Sequence, residues 1–403
     1  PALTQPGSSS PTLLGWVVQF LLLCFFFALN YYSVKTFARS NNFISVLKFL
    51  VPLLVVITLF TFFKPENLHT QGIAPFGMSG VEAAISAGGI IFAYLGLTPI
   101  ISVASEVQHP QRTIPVALIL SVVLSTIIYV LLQLAFLGSI PTEMLSGGWA
   151  EVSKQFSLPY RDIAITLGMG WLAFMVISDA IISPSGTGNI YMNATQRVIY
   201  GWAKAGTFFK AFTHIDKESG IPRPALWLTF GLSIFWTLPF PSWEQLISVV
   251  SAALVLSYAI APVTAAGLRR NAPDLPRPFR VRAFAIIGPV SFMISALIVY
   301  WSGWTTLSWL LGLQIVMFVV YILCKGKVPV HTVSLAQQVK SSLWLIVFYA
   351  LIMLFSWLGS FGGTNEIAHP WDTVLVAVMS LGIYYWGARS CLPQANFSGD
   401  EEE

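Results

Sequence analysis

An all-α, polytopic integral membrane protein is the fold class this sequence predicts, and three observations carry it. Charged residues make up only 9% of the 403 and hydrophobic residues 56%, with a mean hydropathy of +0.74. Apolar runs of about 20 residues, long enough to cross the hydrocarbon core as helix, recur from end to end. The in/out alternation over strands of about ten residues that an outer-membrane barrel needs is absent from the pattern. Within lipid each backbone N–H and C=O must find its partner inside the chain, and helices do that segment by segment.

Candidate spans fall at 13–34, 43–63, 83–106, 113–138, 161–193, 223–240, 244–268, 283–303, 305–324, 342–360 and 371–389, eleven in all. Alternate connections then differ sharply in cations. One side collects Lys35, Arg39, Arg112, the 197–223 group, the 269–282 cluster, Lys325, Lys327, Lys340 and Arg389; the other holds Lys64, Lys154 and Arg161. Seventeen against three, with Lys48 inside a span, is a positive-inside signal that starts residue 1 outside and ends the acidic tail 390–403 in the cytoplasm. Trp and Tyr near the predicted ends suit the headgroup layer of a lipid bilayer.

The net charge of +4 comes from helix-flanking loops, so it reports topology and not a nucleic-acid partner. Cys24, Cys324 and Cys391 lack metal or redox spacing and the five histidines form no ligand pattern, so neither metal, cofactor nor disulfide framework is inferred. The opening residues 1–12 are polar and read as an exposed loop that begins with Pro1 and not Met, so the expectation is a fragment. The longest connections, 139–160 and about 194–222, are too short for a soluble domain. A membrane-embedded transferase needs a carboxylate or histidine constellation at the membrane face; the acids here are dispersed, and no enzyme is read.

One span is interrupted. In 88–115, GGIIFAYLGLTPIISVASEVQHPQRTIP, the apolar run breaks at Leu95-Gly96-Leu97-Thr98-Pro99. Gly costs a helix about 1 kcal/mol and Pro about 3, with loss of an N–H donor. Non-helical backbone at that depth is tolerated only inside protein or along a cavity, which makes the break a candidate binding site. The half-helix before Gly96 turns its carbonyl end toward mid-membrane, where it suits an ammonium group. Thr98 has two readings: a hydrogen-bond donor to substrate, or a hydroxyl satisfying backbone freed by Pro99.

Polar groups within the other spans are few. Lys48 lies about six residues into 43–63, roughly 9 Å at 1.5 Å per residue; it either snorkels to the interface or sits buried as a functional cation. Ser183, Ser185 and Thr187, in ISPSGTG, lie at similar depth and either receive a cation or bond their own helix around Pro184. Asp179 stands at i−4 from Ser183 and is the one acid deep in a span, a proton-relay group or a structural acid bonded to a neighbouring helix. Glu106 and Arg112, after the broken span, read as a gate contact at its cytoplasmic end.

Four stretches in order carry a family resemblance. FAYLG (92–96) followed by ASEVQHPQRTIPVAL (104–118) resembles the sixth helix and following loop of amino-acid permeases of the amino acid–polyamine–organocation (APC) superfamily. NYYSVKTFARSNNFISVLKFLVPLL (30–54) is similar to their helices four and five, NATQRVIYGWAKAG (193–206) to the segment after helix eight, and LRRNAPDLPRPFRV (268–281) to the loop after helix ten. The helices after 342 are similar to those of fourteen-helix members of aspartate–proton symporter type. The resemblance implies a leucine-transporter-like fold of two inverted five-helix repeats. On that template residues 13–63 are the remainder of the first repeat, 83–268 the second and 283–389 four additional helices, with helices one to three missing.

The resemblance also implies roles. Substrate is an amino acid held by the backbone around Phe92, Ala93, Leu95 and Gly96, with Phe92 as a covering aromatic; the plain alternative for Phe92 is packing. Many relatives carry an acid after the glycine where this chain has Leu97-Thr98, which disfavours a cationic substrate. The family lysine at the Lys48 position occupies the place of a sodium ion, so the resemblance implies a proton as coupling partner, with sodium the less favoured alternative. The expectation is proton-coupled secondary transport into the cytoplasm across a bacterial inner membrane, with amino-acid exchange or a non-transporting remnant as alternatives. For the orientation, Lys154→Cys and Arg277→Cys, each in a background with the native cysteines replaced, should react with an impermeant thiol reagent from opposite sides of the membrane; labelling from one side would overturn it.

Overall fold

The computed structural model describes all residues except 1–2, 6–9, 33, 70–74, 87–88, 103, 105–106, 157, 207, 238–242, 325–334 and 393–403. The described residues are helical throughout apart from connecting segments and one isolated bridge, Thr4 with Pro11. In chain order the helices are α1 Leu13–Tyr32, α2 Val34–Phe60, α3 Gly77–Ile85, α4 Ile90–Ala93, α5 Leu97–Ser102, α6 Pro110–Ser139, α7 Trp149–Gln155, α8 Pro159–Thr166, α9 Gly170–Lys204, α10 Arg223–Thr237, α11 Trp243–Asn271, α12 Phe284–Trp301, α13 Gly303–Cys324, α14 Leu335–Leu358 and α15 Trp371–Ser390. By length and apolarity alone six of them cross a membrane: α1, α6, α11, α12, α13 and α14. The bent run Gly77–Ile85 with Ile90–Ser102, turned by 41°, makes a seventh. The other four expected spans are helical as α2, α9, α10 and α15, which are shorter or carry more polar side chains.

Boundaries differ from expectation, α9 running on to Lys204 and α14 beginning at Leu335, and two further differences bear on the site. The 161–193 stretch is two elements, because the chain turns through Gly168 (φ 77) before α9 begins at Gly170. α2 starts at Val34 and not 43, so Lys48 lies near the middle of its helix and not close to an end.

The lipid-facing nature of the surface is plain in α6, where Val116, Ile119, Leu120, Val123 and Ile127 are all exposed. In water such a face would be untenable; against acyl chains it costs nothing. Two large interior clusters form beneath it, beside a smaller one of Met192, Ile221 and Leu226. One joins Val51, Val55 and Leu59 of α2 to Ala135 and Phe136 of α6, Ile163 of α8 and Leu172 of α9. The other joins Leu256 of α11, Phe292 and Tyr300 of α12, Leu311 of α13, Phe348 of α14 and Tyr384 of α15. The broken run lies between them, with α4 packed on α11 and α5 on α6 and α9.

Many polar side chains inside the helices are satisfied in one of two ways. Hydroxyls donate to the carbonyl four residues earlier, as Thr126 to Val122, Thr229 to Ala225 and Ser380 to Val376. Amides bond across helices: buried Asn30 of α1 donates to Asn189 Oδ1 at 2.7 Å and accepts from Asn193 at 3.2 Å, tying α1 to α9. Outside the membrane, hydrogen bonds from the Ser219 hydroxyl (2.6 Å) and N–H (3.0 Å) hold the Asp216 carboxyl below its ordinary range, and Arg223 at 3.1 Å adds to it.

The end of α6 is held by Asn67, whose side-chain amide reaches the carbonyls of Leu137, Gly138 and Ile140 at 3.2, 3.1 and 2.8 Å. Asn67 is 2% exposed, so these carbonyls have little recourse to water. Asn67→Ala should therefore cost about 1–3 kcal/mol and lower the Tm of the purified protein; an unchanged Tm would show that the carbonyls find other donors.

Candidate functional site

The expected opening over 95–99 is narrower and lies slightly earlier, at Tyr94-Leu95-Gly96. Gly96 has φ 124, a region L side chains rarely occupy, and an added Cβ would meet nothing nearer than the Tyr191 hydroxyl at 3.8 Å. The glycine is needed for backbone conformation and not for space. Thr98 and Pro99 are the second and third residues of α5, where a missing proline N–H breaks no helical bond. Pro99 does act on the opening, because residue 99 would otherwise supply the N–H that a helix sends to the Leu95 carbonyl. A second interruption lies upstream, where Gly89 (φ 82) caps α4. The limb before Gly96 is thus one turn, Ile90–Ala93, so individual carbonyls and not a long helix dipole define its polar end.

Those carbonyls are partly engaged. Phe92 O accepts from Leu95 N–H at 3.1 Å, and Ala93 O accepts from the Tyr129 hydroxyl of α6 at 2.9 Å. Thr98 donates to the Tyr258 hydroxyl of α11 at 3.4 Å, a weak contact with a third helix. Phe92, Ala93 and Leu95 line a cavity of about 400 Å³ together with Thr187 and Tyr191 of α9 and Leu246, Ile247, Val250 and Leu254 of α11. That volume suits a small molecule, and the lining is apolar apart from backbone, one threonine and one tyrosine.

Thr187 connects this cavity to the polar stripe of α9. Lys48 Nζ donates to Thr187 Oγ1 at 2.8 Å across the α2–α9 contact. Thr187 donates to the Ser183 carbonyl at 3.1 Å, and the Ser183 hydroxyl donates to Asp179 Oδ1 at 2.5 Å. Asp179 is also near enough to act electrostatically on Lys48. A cation and an acid at this depth are each costly alone and much less so when joined through hydroxyls. Ser185 is not joined to them; its hydroxyl donates to the Ile181 carbonyl at 2.7 Å.

Glu106 lies outside the described residues. Arg112 is exposed in the first turn of α6, its N–H bonded to the His109 carbonyl at 3.0 Å, and no described contact ties its side chain to the break. Tyr129, Tyr191 and Tyr258 are site residues that sequence reasoning missed. For Tyr191 a signal existed, since 179, 183, 187 and 191 continue one i, i+4 series along α9. For Tyr129 and Tyr258 no local pattern marks them; packing alone brings their hydroxyls to the break.

Similarity to known proteins agrees with this geometry. The amino acid permease family matches residues 3–321. An aspartate-proton symporter of Bacillus subtilis (strain 168) is 57% identical over 402 residues, spanning 100% of this chain and 77% of that protein. The glutamate/serine transporter AimA of the same organism is 34% identical over 94% of this chain and 71% of its own length. The branched-chain amino acid permease BcaP, also from B. subtilis, is 25% identical over 74% of this chain and 62% of its own length. With the family matched over most of its length and close relatives along nearly all of it, the chain belongs to the amino acid permease family and is a membrane transporter, not an enzyme.

Proposed function

We propose that the protein carries an acidic amino acid together with a proton, by alternating access around the break at 94–96, into the cytoplasm of a bacterial cell. The observation that carries this reading is the shared position of Thr187: it lines the cavity with Phe92, Ala93 and Leu95, and its hydroxyl accepts a hydrogen bond from Lys48 at 2.8 Å. Substrate and the coupling cation thereby meet at one side chain. The substrate's ammonium group is placed against the carbonyl end of α4, where the Leu95 carbonyl lacks its helical donor. An acidic side chain is favoured because the described cavity lining contains no carboxylate to repel it, while the Lys48 charge lies just beyond Thr187. The names of the two most similar relatives reported above, an aspartate-proton symporter and a glutamate/serine transporter, support the same class.

In this reading Lys48 loses and regains a proton during the cycle. Protonated, it donates to Thr187, which is joined through Ser183 to Asp179; deprotonated, it has given its proton to water on the cytoplasmic side and loosens its hold on Thr187. Ser185, on the same turn of α9 but bonded to Ile181, keeps the helix intact around Pro184. Glu106 and Arg112 are assigned to the cytoplasmic gate on the resemblance alone. The basic 269–282 loop and the tail after 390 are placed in the cytoplasm on the positive-inside count.

Uptake of labelled aspartate into liposomes holding the protein, driven by an inside-alkaline gradient, tests the reading. Accumulation above equilibrium that a protonophore collapses is the expected result; absence of gradient-dependent flux, or flux only against preloaded amino acid, would sink it. Lys48→Ala should abolish accumulation while leaving counterflow measurable, and normal proton-driven accumulation by that variant would remove Lys48 from the coupling role. Gly96→Ala should cost the opened conformation about 1–3 kcal/mol, read as a KM raised roughly 5- to 150-fold.

A further inference from the structure

A second group of titratable side chains lies away from Lys48, at the end of α12 remote from the basic 269–282 loop. α12 runs from Phe284, beside that loop, to Trp301, and Tyr300 is therefore about 24 Å along the helix from its start. Around Tyr300 gather Glu82 of α3, Asp372 of α15, and Ser360 and His369 of the α14–α15 connection. Glu82 is 4% exposed and Asp372 0%. His369 Nδ1 stands 3.5 Å from Glu82 Oε2 and 3.8 Å from Asp372 Oδ1.

The two acids are in different circumstances. Asp372 accepts from the Tyr300 hydroxyl at 2.7 Å, the Ser360 hydroxyl at 2.6 Å, the Ser360 N–H at 3.1 Å and the Thr373 N–H at 2.6 Å. Four donors at a helix N-terminus satisfy its two oxygens. Glu82 Oε2 and His369 Nδ1, although they face each other, make no hydrogen bond among the described residues. A buried carboxylate oxygen without a hydrogen bond, facing a buried ring nitrogen also without one, is costly, and one proton between the two removes the cost. The groups facing this pair are the Asp372 carboxylate from α15 and the Tyr300 hydroxyl from α12, the latter committed as donor to Asp372. A single proton placed between Glu82 Oε2 and His369 Nδ1 therefore serves both.

α3 is also the limb that leads into the break. It packs on α12 and on α4, and α4 carries Phe92 and Ala93 to the cavity. We infer that Glu82 and His369 form a second proton-binding site, loaded from the face opposite the 269–282 loop, whose proton fixes α3 on α12 and α15 and so holds α4 in its substrate-binding position. The proton comes from water at that face, and a new N–H or O–H bond closes the 3.5 Å gap between the two side chains. His369, 27% exposed in its side chain, is the point of entry. The inference rests on the proton-coupled reading above and adds to it a site at which external pH acts on substrate affinity.

The test is the KM for aspartate uptake into liposomes holding the whole protein, as a function of external pH. In the wild type KM should fall about tenfold as external pH is lowered across about 8 to 5. Glu82→Gln, which carries a neutral side chain at every pH, should give a KM low and nearly constant over that range. His369→Gln should displace the profile, while Lys48→Ala should keep the external pH dependence of counterflow. Variants at Glu82 and His369 whose profiles superimpose on the wild type would overturn the site and leave the symport reading standing. Wild-type uptake independent of pH would overturn both. Should Glu82→Gln not fold, Glu82→Asp and His369→Gln decide the matter by the same readout.

Discussion

In lipid a backbone amide has no water to turn to, and each departure from helix must be met by a partner from the protein itself. Residues 94–96 make that departure in the middle of a span. The neighbouring side chains answer it: the Tyr129 hydroxyl takes the Ala93 carbonyl, the Phe92 carbonyl is taken by Leu95 N–H, and Tyr258 meets Thr98 on the far side of the opening. Gly96 supplies the dihedral angle and Pro99 withholds the donor that would close the turn. Leu95 itself lines an apolar cavity with Phe92 and Ala93, which is where the proposed substrate site lies.

The same constraint explains where the charges are. Lys48 and Asp179 sit on neighbouring helices, each far from a helix end, and are joined through Thr187 and Ser183 along one series of α9. Breaking that series would strand a charge in hydrocarbon, so the polar stripe holds α2 against α9 as firmly as an apolar seam would. The two interior clusters are continuous within themselves, one through α2, α6, α8 and α9, the other through α11 to α15, and the broken run passes between them. An opening placed there interrupts the helix between the two clusters, which is where the proposed alternating access needs a hinge.

The C-terminal helices gain a purpose from this arrangement. They bury Phe292, Phe348 and Tyr384 into the second cluster, and through Tyr300, Ser360 and Asp372 they present a fixed carboxylate to the limb that enters the break. α3 is short and polar enough at Glu82 to depend on that contact. Through α3, which packs on both α12 and α4, the proposed proton site is within two helix contacts of Phe92 and Ala93.

Fold class, the helical stretches and the existence of a break were legible in the residues, because hydropathy and the penalties for Gly and Pro belong to neighbours along the chain. Even the α9 stripe was readable at i, i+4 spacing. The opening was read slightly too late, since Thr98 and Pro99 fit a first helical turn as well as a loop, and the choice between those forms depends on Tyr129 and Tyr258 from other helices. The start of α2 was read nine residues too late because the polar residues 35–42 resemble a loop when their neighbours are unknown. Tyr129, Tyr258, Glu82, His369 and Asp372 carried no local mark at all. Their roles come from helices that meet only after packing, and the angle at which two helices cross is set by the whole set of side chains between them.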